Sequence, residues 1–299
     1  MVGPKAVVAG VVGIDCIETP SGRARNVPGG PALYAGIASG LFAPTGIVSV
    51  VGRDFTHWNC FKGCDVSGIE TRPGKTFRWE GRYSGSMNEA KTLRTDLNVS
   101  EKFHPEIPES YARAKFIFLA NADPASQMEI LKQFGKPAFT ALDTMNYWIS
   151  KKRRPLLRAI SMVDCLLLNE GEARMLTKKE SLISAAESLS AKGPEYVVIK
   201  KGEHGALLFC EREGHFFSPS YPISRLIDPT GAGDSFGGAL TGFLASRGKV
   251  TEALLRKGVV YASSVASFTV SGFGADPLTK LTKAKVEARF NRFRKLVRF

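Results

Sequence analysis

The sequence is short of acid, of histidine and of paired cysteine. Its 299 residues carry 28 Asp and Glu against 41 Lys and Arg, a formal net charge of +13. There are four histidines, and the five cysteines, at 16, 60, 64, 165 and 210, form no CxxC pair. An odd cysteine count in a chain of this length argues against a disulfide framework. Cys60 and Cys64 have no second Cys or His pair at zinc-finger spacing. A reduced, cytoplasmic setting is therefore expected. Long apolar runs are missing too. Residues 26–52 contain no charge, but six glycines and three prolines interrupt them, which suits strand–helix–strand better than a membrane span. The N-terminal apolar run stops at Asp15 and lacks the basic start and cleavage site of a signal peptide. No repeat or low-complexity linker is visible. A hydrophobic content of 43% and a charged content of 23% fit a globular chain able to bury a full core.

What is present is an alternation of short β-branched runs with amphipathic stretches. Strands are expected at 6–13, 46–51, 115–120, 138–142, 163–168, 196–200 and 205–210. Helices are expected at 31–42, 125–135, 170–177, 180–193, 231–246, 251–268 and 279–297. Nearly all-apolar strands alternating with helices predict an α/β fold with a mostly parallel sheet covered on both faces, and ligands beyond the strands' carboxyl ends. Residues 15–28 and 74–99 break this pattern. They are polar, rich in Thr, Arg and Gly, and read either as a small β-sheet lid over that carboxyl edge or as two surface loops.

The stretch Asp228-Pro229-Thr230-Gly231-Ala232-Gly233-Asp234 is a glycine-rich turn opening a helix. Free N–H groups at such a terminus form an anion site, and glycine lets the backbone approach the anion closely. A carboxylate there opposes anion binding unless it works as a base. Phosphoryl transfer needs that combination of donors and a proton acceptor. Alternatively, Asp234 is only a first-turn acid favourable to the helix dipole.

The stretch resembles the C-terminal signature of the PfkB/ribokinase family of carbohydrate kinases, with Pro229 and Thr230 where Thr and a variable residue are usual. The resemblance runs from Gly10 to about Gly274 and implies one ribokinase-like domain over 1–299, with the lid segments inserted. Pro28-Gly29-Gly30-Pro31-Ala32-Leu33-Tyr34 is similar to the family's Gly-Gly motif, but Tyr34 stands where Asn is usual. Asp15 matches the early aspartate that accepts substrate hydroxyls. Val51–Phe55 reads as scaffold. Asn169 and Glu172 match the Asn-x-x-Glu pair that organises Mg²⁺ through water; the same spacing makes a capping box, and both readings can hold together. Lys200, Gly202 and Gly205 fall where the family turns beside the nucleotide. Lys200 meets an ATP phosphate or ends a strand in solvent, and His204 is a loop residue. Ser263 and Ser267 leave room for the adenine, and Asp228 and Thr230 resemble a monovalent-cation site, which leaves K⁺ open.

The resemblance thus implies an ATP- and Mg²⁺-dependent phosphotransferase acting on a hydroxyl of a small sugar, with a nucleoside kinase or a catalytically silent binding protein as alternatives. Asp234 would be the base, and the amides of Gly231, Ala232 and Gly233 the anion hole. Asp15, Gly29, Gly30, Tyr34, Asp143 and Asn146 are the candidate substrate contacts. Lid residues Arg78, Arg82, Asn88 and Arg94 could hold a substrate phosphate or merely guard a sheet edge. Tyr34, Phe77, Trp79 and Tyr147 could stack on a nucleoside base or fill core. A homodimer through the lid is compatible with the family. Nucleic acid is not suggested, because no recognised binding signature accompanies the charge. Much of the excess lies in 280–299, with eight Lys and Arg against Glu287. There Val286, Phe290, Phe293 and Val297 predict a helix with one apolar face and one basic face.

Overall fold

The computed structural model describes residues 3–61, 63–85, 87–212 and 214–298. Among the described residues thirteen strands make two sheets. They are β1 (Ala6–Ala9), β2 (Gly13–Thr19), β3 (Gly22–Gly29), β4 (Thr45–Gly52), β5 (Cys64–Arg72), β6 (Phe77–Tyr83), β7 (Ala90–Asp96), β8 (Phe116–Leu119), β9 (Phe139–Asp143), β10 (Cys165–Asn169), β11 (Tyr196–Lys200), β12 (Ala206–Cys210) and β13 (Gly214–Ser218). The large sheet runs β13-β12-β11-β10-β9-β8-β1-β4-β5, parallel except where β12 and β13 join. The small sheet runs β3-β2-β6-β7.

The helices are α1 (Pro31–Gly40), α2 (Pro124–Lys132), α3 (Asn146–Lys151), α4 (Arg153–Ile160), α5 (Glu170–Thr177), α6 (Leu182–Ser190), α7 (Ala232–Arg247), α8 (Glu252–Thr269), α9 (Asp276–Thr279) and α10 (Lys283–Leu296). Side chains alternate across the large sheet. Val8, Phe118 and Leu167 join α1, α7, α8 and α10 in one core. Val7, Ile117 and Leu168 join the cluster formed with α2 to α6 on the other face. This two-sided burial is why the central strands read as apolar runs.

The two polar segments pair with each other, β2 against β6, rather than forming loops. Other expectations need correction. The strand expected at 6–13 ends at Ala9, and the chain turns at Gly10 to leave the large sheet for the small one. Strands β5 and β13 were not expected; both are sheet edges with half-exposed, mixed sequences. Helices α3 and α4 were also missed, their Lys and Arg run masking a buried stripe of Ile149, Leu156 and Ile160. The expected helix 279–297 is α10 over Lys283–Leu296, preceded by the short α9 that ends at Thr279. Val286, Phe290 and Phe293 are buried as predicted, but Val297 lies beyond α10 and is exposed. No helix among the described residues is long and apolar enough to cross a membrane.

Helices α1 and α7 pack at backbone distance. A Cβ on Gly238 would overlap Ala35 O, and one on Gly242 would meet Ser39 O at 2.5 Å. Gly238→Ala should gain about 1 kcal/mol of helix propensity. Forcing the helices apart should outweigh that gain and leave a net loss of about 1–3 kcal/mol. Urea melts would check this, and wild-type stability would show slack between α1 and α7.

Candidate active site

Three parallel strands end side by side on candidate site residues, β9 on Asp143, β10 on Asn169 and β11 on Lys200. Lys200 Nζ meets Asp143 Oδ2 at 2.5 Å, with the two side chains 16% and 4% exposed. The same ammonium lies 3.0 Å from where a Cβ on Gly233 would stand, so it reaches the first turn of α7. Lys200 is thus neither a solvated strand end nor free; it is a paired, buried cation. Burial works against its charge, but Asp143, Glu172 and Asp234 outweigh that and hold its pKa above the ordinary value.

Asp234 follows in the same turn. Burial, then the Asp143 carboxylate, push its pKa up to about 7, while Lys200 pulls it back. Burial and Asp143 likewise push Glu172 up to about 7. Glu172 and Asn169 form a reciprocal capping box, with Asn169 N donating to Glu172 Oε2 (2.7 Å) and Glu172 N to Asn169 Oδ1 (2.8 Å). Asp143 thus acts on Asp234 together with Lys200, whereas Asp228 and Asp234 act on Asp15.

The glycine turn is held from behind. Asp228 is buried and accepts from Thr230 N and Gly274 N, each at 2.9 Å. Gly231 has a φ of 75°, left-handed and suited to glycine, and the ring of Tyr34 covers it so closely that any Cβ would overlap. Of the three amides expected to face an anion, that of Ala232 donates instead to Pro229 O (3.1 Å). Gly231 and Gly233 are left for that task at the helix terminus.

The small sheet closes over this edge. Tyr83 on β6 accepts from Thr230 Oγ1 (3.2 Å), and Thr19 on β2 donates to Ile227 O (2.8 Å). At the β6–β7 tip, Asn88 Oδ1 is 2.7 Å from a Cβ placed on Gly202, and Glu89 Oε1 is 3.2 Å from one on Gly171. Asp15 lies beneath, buried against Gly29, and burial pushes it up to about 7 despite the Gly30 amide. Gly30, with a φ of 89°, opens α1 and packs on the backbone of 11–13. Gly205, with a φ of 89°, lies against Ser218 O in the β11–β12 turn.

The lid arginines are engaged away from the site. Arg78 pairs with Asp54 (3.0 Å), Arg82 with Glu18 (3.2 Å) and Arg94 with Asp96 (2.8 Å). Asp54 also accepts from Thr76 N and Oγ1, which fits the scaffold role expected for its segment. Asn146 opens α3 as an exposed residue, next to exposed Tyr147. Ser263 and Ser267 are buried on α8. Ser267 accepts from Arg289 of α10 (2.9 Å), whose guanidinium stacks on Phe268 and Tyr221. Neither Arg289 nor Tyr83 carried a sequence signal, since each acts through partners distant in the chain.

Among the described residues no group of three His, Cys, Asp or Glu could cage a metal ion. One buried carboxylate with an amide beside it does suit Mg²⁺ that keeps water and phosphate oxygens as its other ligands.

Residues 5–280 match the family described as pfkB family carbohydrate kinase. The chain is 36% identical over 273 residues to a cytidine kinase of Thermococcus kodakarensis, covering 87% of this chain and 95% of that enzyme. It is 27% identical over 266 residues to a nucleoside kinase of Methanothermobacter thermautotrophicus, covering 84% and 81%. Its fold is that of an E. coli putative ribokinase II solved with ATP and Mg²⁺ (TM-score 0.76, 21% identity, 96% and 99% covered). A Burkholderia thailandensis nucleoside kinase solved with inosine shares it (TM-score 0.76, 20% identity, 96% of each chain covered).

The raised carboxyls have a stability consequence. A group at 3.8 unfolded and about 7 folded binds more protons in the folded state between those values. Its stabilisation is full below 3.8 and lost as pH rises through about 7. Within that window each such group should contribute a fall of about 1.4 kcal/mol per pH unit. Asp234→Asn removes one contribution, so urea unfolding should show the variant gaining on wild type between pH 5 and pH 8. A constant difference would mean that Asp234 is not desolvated.

Proposed function

This chain belongs to the pfkB family of carbohydrate kinases, and from that premise we propose an ATP-dependent nucleoside kinase that phosphorylates a primary sugar hydroxyl, with cytidine the first acceptor to test. The observation that carries the reading is Asp234, a half-buried carboxyl in the first turn of α7, pushed up to about 7 by desolvation and the Asp143 carboxylate and pulled back by the Lys200 ammonium. A base poised near working pH is efficient because it is ionised yet still holds a proton well.

Asp234 takes the proton of the attacking hydroxyl. The Gly231 and Gly233 amides and Lys200 meet the charge on the phosphoryl group in transit. Asn169 and Glu172 would hold Mg²⁺ through water, where it neutralises the phosphates. The lid excludes water that would compete as acceptor.

Three observations favour a nucleoside over a free sugar or a sugar phosphate. A relative 36% identical to this chain over 87% of its length is a cytidine kinase. The lid arginines are already paired, and the acceptor side is ringed by Asp15, Asp228 and Asp234, which repel a substrate phosphate. Finally, Trp79 and Tyr83 occupy alternate positions of β6, on the face by which Tyr83 meets Thr230, and give that face a flat aromatic character.

The test is a turnover panel of cytidine, uridine, inosine, ribose and fructose 1-phosphate with ATP and Mg²⁺. Nucleosides should be the best acceptors; turnover of fructose 1-phosphate alone would overturn the reading. Asp234→Asn should cut kcat by about 10²–10⁴-fold with ATP affinity nearly intact. In wild type, kcat/KM should rise with pH through about 7 as Asp234 ionises. Lys200→Met removes the cation that pulls Asp234 down, so that limb should move to higher pH.

A further inference from the structure

The amino edge of the large sheet, at the opposite end of the strands from Asp143, carries a cleft of about 800 Å³. Three neighbouring parallel strands enter the sheet there, in the order β9-β8-β1. Each is preceded by a lysine that lines the cleft, Lys5 ahead of β1, Lys115 ahead of β8 and Lys136 ahead of β9. Arg113 adds a fourth cation, and no Asp or Glu lines the cleft. Pro4, Phe116 and Ala245, all buried, supply apolar wall. Lys5 also lines a smaller cavity of about 220 Å³ together with Arg247 and Lys283, so the basic strip continues to the start of α10. The one acid there, Glu287, already accepts from Tyr261 (2.6 Å).

Ordinary surface chemistry does not account for the four cations. Exposed bases elsewhere pair with acids, as Arg23 does with Glu18 and Arg94 with Asp96. Among the described residues Lys5, Arg113, Lys115 and Lys136 have no such partner. Complementing a helix C-terminus explains Arg247 in the last turn of α7, but these four lie outside any helix. Lys115 is fixed, since its Nζ donates to Lys136 O (2.9 Å). Neighbouring strands stand about 4.8 Å apart, so the lysines are rooted in a row at one-strand steps. Gly248 keeps one wall open. Its φ of 67° suits glycine, and nothing lies within 4 Å of a Cβ placed on it.

We propose that this cleft binds a triphosphate chain, carried by a nucleoside triphosphate or by inorganic polyphosphate, at a site separate from the one around Asp234. A row of unpaired cations suits linked phosphates, which meet several of them at once. A single small anion would engage only one or two. The volume falls in the range of small-ligand sites, about 300–1,000 Å³, and is too small for a folded macromolecule. The inference goes beyond the kinase reading and does not depend on it, because no residue of the candidate active site lines the cleft.

The experiment is calorimetric titration of the full chain with ATP at low salt. Wild type should bind two equivalents per chain, and raising the salt should weaken one of them more steeply. Arg113→Glu combined with Lys136→Glu should weaken that equivalent at least tenfold and leave the other in place. Arg158→Glu with Lys192→Glu, both exposed and outside the cleft, makes the same change of net charge and should keep both. Urea melts check that each variant is folded, and Arg113→Gln alone should give an intermediate loss. Tripolyphosphate should displace the second equivalent and adenosine should not. Whichever of ATP and tripolyphosphate holds the cleft more tightly identifies the source as nucleotide or inorganic. Equal stoichiometry and affinity in wild type and the cleft variant would overturn the inference. So would loss of the equivalent in the control pair, or its displacement by adenosine. If the kinase reading alone fails, wild type should bind one equivalent, and the cleft variant should lose it.

Discussion

One ammonium held among buried carboxyls organises this molecule. Lys200 is fixed by Asp143 at 2.5 Å, and Glu172 and Asp234 lie within its field. Breaking such a pair from one side leaves a buried charge uncompensated, at a cost of about 3–5 kcal/mol. That penalty holds the carboxyl ends of β9 and β11 in register with the first turn of α7. It also gives the glycines of that turn a second reason beyond ligand approach. Gly233 must leave room for Lys200, and Gly231 for the ring of Tyr34. A side chain at either place would push apart elements that the ion pair and the buried ring hold together.

The parts of this arrangement legible in the sequence are those where local chemistry is restrictive. The turn at Gly231 needs a left-handed φ, and Asn169 with Glu172 caps a helix by spacing alone, so both announce themselves over a few residues. Central strands are equally plain because both faces are dry. The edges β5 and β13 were hidden, since a half-wet strand has no apolar run to recognise. Asp143 and Lys200 are 57 residues apart, and Tyr83 and Thr230 are 147 apart. No spacing rule reaches across such distances. In the sequence Asp143 and Lys200 stand only as separate polar residues at strand ends, with nothing to join them.

The excess positive charge tells a related story. Of the basic residues that crowd 280–299, Arg289 turns inward, between Phe268 and Tyr221, and donates to Ser267. Its burial holds the guanidinium below its ordinary pKa, and the two rings take over part of the role of water around it. Arg289 therefore ties α10 to α8 alongside Glu287 and Phe290, which meet Tyr261, while Lys283, Lys285 and Lys295 remain at the surface.

Charge within the site is arranged the other way. On the proposed reading the acceptor side carries Asp15 and Asp228, which pair with no basic group among the described residues, and the phosphate side carries Lys200 and the amides of the α7 terminus. A neutral polyol would then suit the first side and a polyanion only the second, so that the two substrates would be sorted by electrostatics before any shape is read. Asp234 is raised by desolvation and by Asp143 and lowered by Lys200. As the proposed base it would meet the acceptor's proton with that cation turned to the phosphoryl group. The polarity that orders the substrates thereby also sets the basicity of the group that would join them.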